Sequence, residues 1–214
     1  MLKSYFVRFF YGFCALAAFT SCGGEKAAGT GEFATVFATV SGPNSTIDSD
    51  VARWVDATSG AAAAACGATS VPTTTPDSAV FTVTSTPYAA PNTGSGSAVT
   101  PSPLSITRIT VTMTPADSIS PALPAIFQTQ FPSSAAPVIL PGNPQPLTVR
   151  LVDNDMKAFF LFGLGAQSIT CTNQATYSYR AVVSFEMLET TTNRVSTVTA
   201  PGFMLIKFSD FIDA

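Results

Sequence analysis

Residues 176–188 read TYSYRAVVSFEML, and their chemistry alternates. Tyr177, Tyr179, Ala181, Val183, Phe185 and Met187 fall on one side, with Ser178, Arg180, Ser184 and Glu186 on the other. Such a period of two describes a strand with one face on a core and one in water. The period recurs in AVFTVTS at 79–85, LTVRLV at 147–152 and FATVFATV at 33–40. LSITRITVTM at 104–113 alternates through Leu104 and Ile106, then resumes at Ile109, Val111 and Met113. That phase break across Thr107-Arg108 predicts a β-bulge, because one extra residue shifts the side-chain register. After ETTTNR the chain returns through VSTVTA and FMLIKFSDF, which predicts antiparallel strands at the C-terminal end. The predicted core is Phe81, Val83, Ile109, Val111, Val149, Leu151, Tyr179, Val183 and Phe185.

Helical signals are sparse. The best is DSDVARWVDA at 48–57, with Asp48 as N-cap and Val51, Trp54 and Val55 at helical spacing, and it reads almost as well as a strand. The chain has 16 prolines, concentrated between Pro115 and Pro146. Proline cannot donate to a sheet ladder, so it belongs in turns and on edges, where it blocks pairing with other chains. Short strands with turn signals between them predict an all-β fold, a single antiparallel β-sandwich over 33–214 with a long internal loop near 86–103. A true immunoglobulin domain carries its Trp between two cysteines and a Tyr two residues before the second. Here Trp54 precedes both Cys66 and Cys171, and Ile169 holds the Tyr position. The region therefore resembles immunoglobulin-like or fibronectin-like sandwiches in general pattern only.

The N-terminus carries a different signal. Lys3 and Arg8 precede an uncharged stretch from Phe9 to Phe19, followed by small residues. A basic start, a short apolar run and small residues make a secretory signal peptide, here 1–21. The run is too short to span a bilayer, which takes about 20 apolar residues. Phe19-Thr20-Ser21-Cys22 resembles the lipobox of bacterial lipoproteins, with Phe19 where Leu is usual. The resemblance implies that Cys22 is acylated and becomes the first mature residue. It also implies a cell-envelope location, as an outer-membrane lipoprotein that is periplasmic or surface-exposed, with 22–32 as a flexible tether. Of the 4 cysteines, cleavage would remove Cys14 and lipidation would use Cys22. A Cys66–Cys171 disulfide is then expected in an oxidising compartment, with two free thiols as the alternative. The bridge would close a loop of about 100 residues, worth roughly 4–5 kcal/mol by chain entropy.

Composition excludes several functions. Charged residues make up 11% of the chain, against about 25% in ordinary globular proteins. Without the signal peptide, the balance is acidic. That disfavours nucleic acid and anionic headgroups, which need a basic patch. There is no histidine, so no Ser-His-Asp or Cys-His pair and no imidazole ligand. No nucleophile elbow or phosphate-loop motif occurs. A glycosidase needs only two carboxylates, but nothing in the spacing of Asp48, Asp50, Asp56, Asp153, Asp155, Glu186, Glu189, Asp210 and Asp213 selects a pair. Asp48 and Asp50, and Asp153 and Asp155, are candidate calcium ligands, with turn chemistry as the alternative. Trp54, Tyr88, Tyr177 and Tyr179 are candidate sugar-stacking rings, although Tyr177 and Tyr179 lie on the apolar face of their strand. The expected function is a lipid-anchored, non-catalytic structural or protein-interaction module, its partner an envelope protein or a glycan, with no cofactor expected. A glycan- or calcium-binding surface module is the alternative, and a carboxylate-dependent hydrolase the second.

Overall fold

The alternating stretch at 176–188 forms the longest strand of a computed structural model that describes residues 28–61, 70–88, 100–132, 137–170 and 173–210. In chain order its strands are β1 (Thr30–Glu32), β2 (Val36–Ser41), β3 (Thr46–Asp50), β4 (Arg53–Asp56), β5 (Ser70–Thr73), β6 (Asp77–Pro87) and β7 (Leu104–Pro115). These are followed by β8 (Thr129–Pro132), β9 (Val138–Ile139), β10 (Gln145–Val152), β11 (Tyr177–Glu189), β12 (Val195–Thr199) and β13 (Met204–Ser209). One short helix, α1 (Asn154–Ala158), follows β10. The fold is all-β. A four-stranded sheet has the order β1-β2-β6-β10. A seven-stranded sheet has the order β3-β13-β11-β7-β8, with β12 also on β11 and β9 also on β7. β4 and β5 make a separate hairpin.

The inward faces of the two larger sheets share one apolar core. Phe81 of β6 meets Phe185 of β11 edge to face, with ring centroids 5.5 Å apart. Phe81, Val83, Val111, Val149, Leu151, Tyr179, Val183 and Phe185 are all buried, as the alternation predicts. Ile109 is only half-buried and packs against the core from its margin. It lies beside the β-bulge, which falls where the phase break predicts it. Glu186 pairs with Arg108 and Met187 with Ile106, so Thr107 is the extra residue. Its hydroxyl donates to the Glu186 carboxylate at 2.8 Å, occupying the polar group that the bulge turns aside.

The larger sheet is mixed, because β3 runs parallel to β13, so the all-antiparallel expectation fails at that edge. Of the two readings of 48–57 the strand holds and the helix does not: the segment is divided between β3 and β4. Pairing with β13 buries Ser49 and Val51, and this tertiary contact outweighs a helical spacing that local propensity supports only feebly. Thr30–Glu32 pairs with β2, and the stretch at 33–40 turns at Ala34-Thr35 instead of running straight.

The segment after β10 closes one end of the core. Asp153 caps α1, its carboxylate accepting from the Met156 amide at 2.8 Å, which satisfies an otherwise unpaired helix donor. The chain continues through a π-helical turn at Phe159–Gly163. Phe160 from this turn stacks on Phe208 at 4.2 Å and lies 5.8 Å from both Tyr177 and Tyr179. The Tyr177 hydroxyl donates to the Gln167 carbonyl and the Tyr179 hydroxyl to the Pro121 carbonyl, both at 2.6 Å. The loops at 116–128 and 153–170 therefore cover the Tyr177 end of β11, and Glu189 marks the opposite end. No helix among the described residues is long and apolar enough to cross a membrane.

Candidate interaction site

The buried charges are committed to internal partners. Lys157 of α1 is 1% exposed, with its Nζ 3.0 Å from Asp77 Oδ2. The same ammonium donates to the Asp50 carbonyl at 2.6 Å, and the Ser49 hydroxyl donates to Asp77 at 2.6 Å. This bears directly on the candidate calcium ligands. The two acidic stretches meet where this ammonium, two residues after Asp155, bonds the Asp50 carbonyl. Asp153 caps α1, Asp155 lies exposed in its first turn, and Asp48 lies exposed on β3. Among the described residues no three acidic or cysteine side chains are grouped to hold a metal ion.

Several other carboxylates brace local structure. Asp56 accepts from the amides of Thr58 and Ser59, fixing a turn. Asp210 accepts the Trp54 indole N–H at 3.2 Å, which occupies the polar edge of that ring. Glu189 is buried and accepts from the Ala34 and Thr35 amides, at 2.9 and 2.8 Å. It also accepts from the hydroxyls of Thr35 and Thr192. Burial alone would push its carboxyl up, but these hydrogen bonds outweigh that and hold it below the usual carboxylate range. Tyr177 and Tyr179 are core residues, and burial pushes both phenols up. Cys22, Cys66, Cys171 and Asp213 lie outside the described residues.

A broad concavity with a polar lining lies at the β3 edge. It is an open cleft of about 410 Å³ lined by Asn44, Ser45, Thr46, Gly202, Phe203 and Leu205. The β3–β13 register exposes backbone there. The Leu205 amide donates to the Ser45 carbonyl at 3.3 Å, and the Val51 amide donates to the Ser209 carbonyl at 3.0 Å. In a parallel pair alternate residues face the partner. Ser45, Ile47, Ser49 and Val51 therefore face β13, and the N–H and C=O groups of Thr46 and Asp48 point off the sheet. Gly202 shapes the cleft wall. Its φ is +76°, and a Cβ there would fall 2.6 Å from Asn44 Oδ1. Phe203 is half-exposed, and the Arg180 guanidinium lies 5.1 Å from its ring centroid. At an exposed site that contact contributes about 0.5–1 kcal/mol, enough to orient the ring.

This arrangement suits recognition. Unpaired edge groups can accept an added strand, and pockets beside the edge supply side-chain selectivity. Sequence reasoning missed the site. Asn44 lies in a polar stretch without a local signal, and Phe203 reads only as part of a strand. The site depends on β3 meeting β13 across more than 150 residues of sequence, for which there is no local signal. Neither a family model, nor a curated protein, nor a solved structure matches this chain.

Proposed function

We propose that the protein is a lipid-anchored, non-catalytic interaction module of the bacterial envelope. In this reading it is a single β-sandwich of immunoglobulin-like general architecture, held to the outer membrane through Cys22. It binds an extended segment of an envelope protein along the free edge of β3. The observation that carries this reading is the pair of outward-facing backbone units at Thr46 and Asp48 beside the Phe203 cleft. The engagement of buried carboxylates in bracing local structure supports a binding role over a hydrolytic one. The exposed Phe203 ring, flanked by the Asn44 carboxamide, supports a glycan as the second reading, since sugars stack on aromatic faces and bond to planar amides.

A photo-crosslinking amino acid placed at Phe203 in cells tests the proposal. The expected result is a protein adduct from Phe203 and none from Thr148, which lies on the outer face of the other sheet. Thr46→Pro removes an outward donor without touching the β13 ladder, an edge position where proline is tolerated. It should lower the adduct yield about tenfold, the effect of roughly one lost hydrogen bond. A glycan-only adduct favours the second reading. Equal labelling from both positions, unaffected by Thr46→Pro, contradicts the site.

A further inference from the structure

Among the described residues, the three most exposed large apolar side chains are Ile126, Ile119 and Phe162, at 82%, 70% and 68%. All three belong to the loops that cover the Tyr177 end. Ile119 is held outward by a rigid turn, because the Asp117 carboxylate accepts from the amides of Ile119 and Ser120 at 3.2 and 2.8 Å. The Ser120 hydroxyl in turn accepts from the Ser178 amide at 2.7 Å, which fixes that turn to β11. Phe162 projects from the π-helical turn whose Phe160 and Leu161 point into the core. The loops are joined, since the rings of Phe127 and Phe159 lie 5.3 Å apart. Three large side chains are therefore presented to solvent by braced backbone at one end of the domain.

The direction of the N-terminal chain identifies what meets them. Ala34 and Thr35 bond to Glu189, so they sit at the Glu189 end of β11. Going back along the chain, Gly31 abuts Val198, which pairs with Phe185. Gly29 abuts Pro201, next to Ala200, whose amide donates to the Val183 carbonyl. Each step toward the N-terminus thus moves along β11 toward Tyr177. Val183 lies six residues from Tyr177, about 20 Å along a strand. Cys22 lies seven residues before Gly29, which spans at most about 25 Å when fully extended. Gly29 is level with Val183, midway along β11, and a tether of that length reaches the Tyr177 end when it continues in the direction of β1.

We propose that the end of the domain bearing Ile119, Ile126 and Phe162 rests on the bilayer that holds the Cys22 acyl chains, with these three side chains entering the interface. This rests on the lipid-anchor reading above. Apolar side chains that enter the interface add buried area to the binding that the acyl chains give. The contact is made with neutral lipid: the loops at 116–128 and 153–167 carry Asp117, Asp153 and Asp155, and their only basic residue, Lys157, is buried.

The test uses the full lipidated chain in phosphatidylcholine–phosphatidylethanolamine vesicles with brominated acyl chains, which quench a nearby indole. Ile126→Trp and Phe162→Trp report on the proposed contact, and Val195→Trp, at the Glu189 end, is the control. The expected result is a blue shift and about twofold quenching at 126 and 162, with none at 195. With Trp54 replaced by Phe so that each reporter is the single indole, Ser at the other apolar positions should weaken the blue shift of that reporter but leave the lipid in place. Mass measurement of the same samples separates the two readings. Protein that carries the lipid and binds vesicles, yet shows no quenching at 126 or 162, overturns the docking and leaves the anchor intact. Protein without the lipid overturns both.

Discussion

Truncating Phe185 to alanine is expected to cost about 3–5 kcal/mol of folding stability, the range for a fully buried phenylalanine. Its side chain is 0% exposed and stands between the sheets, edge-on to Phe81. Its backbone pairs with Ile109 on one side and Val198 on the other. Removing the ring leaves a cavity in the layer where the two sheets meet, and β-strands held in register by two neighbours cannot collapse to fill it. Denaturant unfolding of the wild type and Phe185→Ala checks this. Ser184→Ala, one residue away on the outer face, should stay within about 0.5 kcal/mol. A loss below roughly 1 kcal/mol for Phe185→Ala would put this face of β11 in water and reverse the strand's orientation.

Glu189→Ala is expected to destabilise the protein by about 3 kcal/mol, although it removes no apolar contact of comparable size. The carboxylate gathers the Ala34 and Thr35 amides with the hydroxyls of Thr35 and Thr192 at one end of both sheets. Truncation removes the acceptor of two part-buried amides and two hydroxyls; hydrogen bonds to a charged group contribute about 1.5–3 kcal/mol each, and water entry offsets much of that. The same residue sets a pH dependence. Its folded-state pKa lies below the ordinary value of 4.5, so its contribution is complete above that pH. The contribution is lost as the pH falls through the folded-state pKa, because the unfolded chain then binds the proton more readily. Wild-type stability should therefore decline on acidification below about pH 4.5, and Glu189→Gln should show a shallower decline. Equal slopes for the two proteins would place that acid sensitivity elsewhere.

What could be read from the sequence was the part that depends on periodicity. The alternation at 176–188 identified β11 and its inward face, and the slip at Thr107 identified the bulge, because side-chain direction in a strand follows from position alone. The same phase ran on to Glu189, an odd-numbered inward position, and a carboxylate in inward phase at a strand end is the signal for a buried clamp. The β3–β13 pairing had no such signal. It joins segments far apart in sequence, and 46–50 has the composition of a polar turn. Helix α1 was hidden for the opposite reason. Its Asp153 cap looked like a turn or a metal ligand, and its five residues are too few to show a helical period. The Phe203 cleft inherits its invisibility from β3, since one of its walls exists only after that strand is placed.

The proposal that a lipid at Cys22 holds this module at the membrane is tested by metabolic labelling with a palmitate analogue. The wild type should incorporate the label and fractionate with the membrane, and Cys22→Ser should lose both. A Cys22→Ser protein that keeps the same label and remains in the membrane fraction would contradict the account.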